Sequence, residues 1–452
     1  MSPGAAVLRF SKAWAGEKMT LQYWLRWLSL QGVPRLVLRV QTMRGDTFAK
    51  MMGPQGIADP HPFIEHIRAQ GKLVKTPLPW ATCDYELSRM ILRDSRFGVR
   101  SSARIKIPAV LQKFANRVPP PANPADPPAM LRLNPPEHTK MRKPVVSAFT
   151  PRAVGRLRDR VETVTEELLD ALPSGGSVDL VETFASRVPL AIIFEILGMP
   201  DEDQDKFLFW GEEMTPMLDV GISWPRYHRA MRAAQQLNDY LDQHIDRLRR
   251  EPGEDILSTM IASGELDQYA LKANASIIIG AGFETTANLI ASAITLLLRH
   301  PEQLDRLRAE PELWPNAVEE VLRCEPPVFI TARQALTDVE LEGVQLHAGD
   351  MIMLSLAGAN RDPEIFADPQ RFDITRPNAK EHLAFSSGVH SCFGANLARM
   401  EAAHALRALF ERFPDMRAAA PPRLRPQLTF RGYGNVPVRL GRRASSTRSV
   451  AG

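Results

Sequence analysis

One short run in this chain has the residue types and spacing to hold a metal through sulfur: Phe385-Ser386-Ser387-Gly388-Val389-His390-Ser391-Cys392-Phe393-Gly394. A helical run, Ala395 to Glu401, follows at once. Cys392 thus sits at the mouth of a helix, where free backbone N–H groups and the positive end of the dipole favour thiolate over thiol. Gly388 and Gly394 bracket it and let the backbone bend sharply or approach a flat ligand closely. An anionic sulfur held by amides in a tight loop suits a haem iron, because thiolate donates electron density to the metal and favours O–O cleavage. A lone cysteine at a helix start is more often an inert core residue, so the sulfur by itself does not decide the matter.

Three further runs carry chemistry. Leu271 to His300 is long and largely apolar, which predicts a helix through the centre of the molecule, locally weakened by the glycines of Gly280-Ala281-Gly282-Phe283-Glu284-Thr285-Thr286. Its small residues leave room for a flat ligand, and a carboxyl inside an oily element is costly unless used or paired. In Asn134-Pro135-Pro136-Glu137-His138-Thr139-Lys140-Met141-Arg142, the two prolines open a helix. His138 and Arg142 then share a face and can hold a carboxylate, although an ordinary basic face reads the same. Glu320 and Arg323 stand at i and i+3, the spacing of a helical ion pair.

The pattern Phe-x-x-Gly-x-His-x-Cys-x-Gly, with Leu397-Ala398-Arg399 behind it, resembles the haem-binding loop of the cytochrome P450 family. The other three runs match motifs of that family, in its order, and the resemblance covers roughly residues 55 to 440. It is closest to the soluble bacterial branch of actinobacterial type. It implies a mainly α fold with small β-sheets, the family's triangular helical prism, as one domain over residues 41–440. It implies haem b, with Cys392 on the iron, Phe385 shielding the sulfur, and His138, Arg142, Arg333 and His390 facing the propionates. Ala281, Gly388 and Gly394 would also lie against the cofactor, while Glu320 and Arg323 would be structural. Phe393 departs from the pattern, since a smaller aliphatic is usual there.

The activity implied is hydroxylation, with Glu284 and Thr285 supplying protons to bound dioxygen. No flavin- or nicotinamide-binding segment is present, so a ferredoxin and a ferredoxin reductase would be separate chains. Lys140 and Lys143 offer a basic patch for that donor. The expected substrate-facing residues are Ile277, Gly280, Val328, Phe329 and Val436, an apolar set that points to a lipophilic small molecule. Trp210, Met214 and Met217 suit a pocket roof as well as a core. A peroxide-driven peroxygenase and a non-catalytic haem sensor are the alternatives. The acid–alcohol pair argues for dioxygen, and a sensor would not require it.

The elements that must position these groups are mostly helical. Residues 152–250 show amphipathic spacing broken at Pro173-Ser174-Gly175-Gly176 and Gly198-Met199-Pro200. Leu73–Thr76 and Trp80–Cys83 read as short strands around a proline turn, and Val339–Val344 with Met351–Ser355 as a hairpin. Val118 to Met130 is so rich in proline that it must be loop, and a lid over the pocket is expected there. Leu21 to Val40 is apolar, aromatic and basic, a segment that packs on the body or touches a membrane surface peripherally. Residues 1–40 are expected to be a peripheral segment, 1–18 a leader with Met19 an alternative start, and 441–452 a polar, disordered tail.

Over 452 residues the net charge is only +4, which does not suggest nucleic acid as a partner. The three cysteines, Cys83, Cys324 and Cys392, are odd in number and scattered, which argues for a reducing, cytoplasmic setting over a disulfide framework. No run reaches the ~20 uninterrupted apolar residues of a spanning helix. A cytoplasmic monomer is expected.

Overall fold

The computed structural model describes residues 21–444, apart from 22, 100–126, 147–148 and 174. Most of the lid expected at Val118–Met130, the leader 1–18 and the end of the tail lie outside the described residues. The architecture is mainly helical with small sheets. Its helices include α1 (Val33–Met43), α2 (Glu137–Val146), α3 (Arg158–Ala171), α4 (Arg187–Ile196), α5 (Gln204–Met214), α6 (Trp224–Arg250), α7 (Gln268–Arg299), α8 (Trp314–Cys324) and α9 (Ala395–Arg412).

The helix α7 is the axis of the fold. Asp267 caps it, its carboxylate accepting from the Ala270 N–H. Because α7 is apolar on nearly every face, it is stable only when surrounded, and α4, α6, α8 and α9 pack on it. Among the described residues it alone is long and apolar enough to cross a bilayer, but 78% of that window is buried inside the protein. The weakening expected at its glycines does not interrupt it: the helix runs on unbroken, with the Thr285 hydroxyl donating to the Ala281 carbonyl (2.7 Å) and Thr286 to Gly282 (3.1 Å). Packing on several sides outweighs the weak helix preference of two glycines. At Gly282 a methyl group would strike Ile193 of α4 at 2.4 Å, so that glycine sets how closely α4 and α7 approach.

The largest sheet has five strands. In chain order these are β1 (Val74–Lys75), β2 (Trp80–Thr82), β3 (Phe97–Gly98), β4 (Ile330–Ala335) and β5 (Met351–Ser355), arranged β1-β2-β5-β4-β3. The expected hairpin is corrected here. Val339–Leu341 pairs with Val344–Leu346, and Met351–Ser355 instead runs against Ile330–Gln334. The tight Glu342-Gly343 turn, with both residues at positive φ, closes a hairpin too short to leave Met351 as its partner.

Candidate functional site

Cys392 projects from a loop whose shape its own backbone fixes. Its N–H donates to the Phe385 carbonyl (2.9 Å), and Ser391 N–H to the Gly388 carbonyl (3.0 Å). Gly388 has a φ of +72°, and a Cβ there would lie 2.3 Å from the Leu92 carbonyl oxygen. It does not border the cavity, and glycine is required because the loop presses on the helix Tyr85–Arg93. Gly394 is the N-cap of α9 and borders the cavity beside Cys392. The thiol surface opens into an interior cavity while lying deep in the protein. Burial raises its pKa, opposed by the Gly394 N–H and by the Arg142 and Arg399 charges.

A second set of contacts holds the loop from below. Glu319 of α8 bonds His382 (2.9 Å) and Arg399 of α9 (2.6 Å). The Arg399 guanidinium in turn lies 4.5 Å from the centre of the Phe385 ring. Sequence spacing could not have joined these groups, because Glu319 and Arg399 are 80 residues apart.

The cavity is about 740 Å³ and runs from this loop to α7. Ile277, Gly280, Ala281 and Thr285 border it from α7, and Val328 from the segment before β4. Trp210, Met214 and Met217 border it too, while also belonging to the packed core. Two expected lining residues are elsewhere. Phe329 is fully buried on the opposite side from Val328, with His61 and Arg431 against its ring, as alternation along extended chain requires. Val436 is bonded to Asp179 and Leu180 and packs in the core beneath α7. Thr429 and Phe430 border the cavity in its place.

Glu284 is also off the cavity wall. It is buried and ion-paired with Arg425, a partner 141 residues away that no spacing rule could have found. Thr285 is on the wall, so the structure separates the two members of the expected pair.

The remaining groups fit a metal porphyrin. No cluster of three or more His, Cys, Asp or Glu side chains suited to a metal ion occurs among the described residues, so any metal at Cys392 must bring its other ligands. His138 and His390, with rings 4.2 Å apart, each bury an Nε2 that has no partner among the described residues. Arg333 is buried, and among the described residues its guanidinium reaches only Thr331 Oγ1 (3.3 Å) and the Ala332 carbonyl (3.0 Å). Burial pulls its pKa down to about 10. It pulls His390 down to about 3, helped by Arg333, His138 and Arg142. Arg142 donates to the Ser391 carbonyl (2.6 Å) and lies over the Phe393 ring. Donors and cations gathered with no carboxylate of the described residues bonded to them are costly unless an anion joins them. The carboxylate edge of a porphyrin is such an anion.

The site holds one unexpected acid. Glu401 of α9 is buried at the cavity floor, its Oε1 lacks a partner among the described residues, and burial pushes its pKa up to about 8. Because the folded value lies above the unfolded value of 4.5, both states are protonated at low pH and proton binding makes no difference to stability there. Between those values the unfolded chain ionises while the folded one does not, so stability falls as pH rises towards 8. Glu401→Gln is expected to remove this slope. It should gain roughly 3–5 kcal/mol at pH 8 and almost nothing near pH 4.5, at about 1.4 kcal/mol per unit. Urea unfolding of both proteins across that range checks it, and parallel curves would exclude the cost.

Comparison with known proteins agrees with this geometry. The sequence model described as cytochrome P450 matches residues 111–418. A Mycobacterium tuberculosis protein bearing the family name cytochrome P450 140 is 41% identical over 438 residues, 92% of this chain and 97% of that one. The 6-deoxyerythronolide B hydroxylase of Saccharopolyspora erythraea is 37% identical, over 80% of this chain and 90% of its own length. The crystal structure of P450BioI in complex with an acyl carrier protein ligated to hexadec-9Z-enoic acid superposes with a TM-score of 0.78 at 32% identity. That superposition covers 85% of this chain and 99% of the other.

Proposed function

The chain belongs to the cytochrome P450 family of haem monooxygenases, and from that premise we propose that it hydroxylates a lipophilic small molecule with electrons from a separate ferredoxin and its reductase. When bound, the haem iron supplies dioxygen activation, which a thiolate ligand favours. Cys392 would hold the metal, with the Gly394 N–H steadying negative charge on its sulfur. His138, Arg142, Arg333 and His390 would hold the carboxylates of the cofactor. Gly280, where a Cβ would meet nothing within 4 Å, leaves open space over α7.

Thr285 has its hydroxyl hydrogen committed to the Ala281 carbonyl, so the oxygen lone pairs are available to accept a bond from the cavity side. It would position a proton donor there. Glu284 would feed that donor by a water chain or by swinging away from Arg425. Exposed Lys140 and Lys143, on the helix that carries Arg142, fit an acidic electron donor. The names of two relatives, a 6-deoxyerythronolide B hydroxylase and a complex with hexadec-9Z-enoic acid on an acyl carrier protein, support the lipophilic substrate class.

The observation that carries this reading is one apolar cavity bordered by Thr285 at one wall and by Cys392 at the other. Thr285→Ala tests it. Coupled product formation with ferredoxin, reductase and NADPH is expected to drop by about two orders of magnitude, while substrate binding is retained. Unchanged coupled turnover would remove Thr285 from the mechanism. Peroxide-driven turnover that exceeds the ferredoxin-driven rate would favour a peroxygenase instead.

A further inference from the structure

The segment from Leu21 to Met43 has an unusual position for so apolar a stretch. From Trp24 to Gln41 none of its residues is fully buried. The apolar side chains of a surface helix normally face the core. Here one side is in use: Leu30, Pro34 and Leu38 border the cavity described above. Polar contacts fasten the segment to the loop 218–222. Trp27 Nε1 donates to the Ile222 carbonyl (2.9 Å), Arg35 to Gly221 (2.7 Å), and Gln31 accepts from the Gly221 N–H (2.6 Å).

The other side carries Leu21, Trp24, Leu28, Val33, Leu36 and Met43, all exposed, with Leu36 at 63% and Met43 at 80%. The cavity rim adds to this surface, because Leu78, Leu131 and Val220 each border the cavity and are also exposed. No acidic residue falls between Leu21 and Gly45, while Arg26, Arg35, Arg39 and Arg44 do. The charges of Arg39 and Arg226 both bear on Arg35, so basic groups gather at this face.

We propose that this face, the exposed side of residues 21–43 together with the cavity rim, rests on an anionic lipid bilayer surface. Large exposed apolar side chains would enter the acyl boundary, and long arginines would reach headgroup phosphates. Each arginine near an anionic surface adds attraction that falls within a Debye length. The mouth of the cavity would then open towards the layer in which a lipophilic molecule dissolves. The proposal stands on the surface alone and holds whatever the substrate is.

The test uses the full chain with vesicles of phosphatidylcholine, with and without phosphatidylglycerol, read by co-sedimentation. Binding is expected to the mixed vesicles, to weaken as salt rises, and to be much weaker on phosphatidylcholine alone. The double variant Leu36→Glu, Arg39→Glu should lower the partition coefficient by about tenfold or more. Met43→Glu with Arg44→Glu provides an independent pair, should the first unfold. The proposal is overturned if the wild type stays in solution with anionic vesicles or if a folded variant binds as well as the wild type. It also fails if light scattering shows a dimer that the same variant dissolves, which would give the face to a second copy of the chain.

Discussion

Replacing Cys392 by serine is expected to abolish the red-shifted Soret band of the reduced carbonyl complex and to bring hydroxylation down to background. Serine offers a hydroxyl that stays neutral at physiological pH, so the charge donated to the metal is lost even where the geometry survives. The fold should survive, because the loop is held by the Cys392 N–H to Phe385 bond and by the Glu319–Arg399–Phe385 contacts, none of which uses the sulfur. Unfolding free energy is therefore expected to change by less than about 1 kcal/mol. Cys83→Ser is the control. Burial raises the Cys83 thiol to about 12, and its sulfur is packed in the core with a hydrogen bond to the Ile64 carbonyl, so that variant should keep the full spectrum. A Cys392→Ser protein that retained the red-shifted band would place the metal on some other atom.

What could be read in advance from the sequence was local. A Cys loop, a His-x-x-x-Arg turn and a Glu-x-x-Arg turn each fall within about ten residues, so their spacing already fixes which side chains share a face. Groups joined by the fold were not legible. Arg425 on Glu284, Arg399 on Glu319 and the unpaired Glu401 depend on how α7, α8 and α9 pack, and no periodicity encodes that. The errors at Phe329 and Val436 have a common origin. Both lie in extended chain, where a shift of one residue sends a side chain to the opposite face, and sequence alone does not give the phase. The steric need at Gly388 was also hidden: its small size answers to Leu92, a neighbour 296 residues earlier.

Glu320→Gln is expected to cost 3–5 kcal/mol, about the amount lost when one member of a buried ion pair is removed. The pair predicted from spacing is in fact a three-residue cluster. The Glu320 carboxylate accepts from Arg323 at 2.7 and 2.8 Å, from Arg376 at 3.2 Å and from the Asp373 N–H at 2.9 Å. Both arginines spend their other donors on backbone carbonyls. Arg323 reaches Asn360, Pro369 and Arg371, and Arg376 reaches Ala367, Asp368 and Arg371. Neutralising the acid takes from two buried guanidinium groups the carboxylate they pair with directly, leaving Arg376 only the more distant charge of Asp373, so the whole meander from 360 to 376 loses its anchor. Asn360 then transmits the loss, since its side chain accepts from the Leu383 N–H (2.7 Å) just before the Cys loop begins. The variant should therefore show a lowered urea midpoint together with poor pigment incorporation. Arg323→Lys should not rescue it, because a single ammonium cannot serve three carbonyls and a carboxylate from one plane. Parent-like stability in Glu320→Gln would mean that the carbonyls alone neutralise the arginines, and the cluster would lose its place as the support beneath the loop.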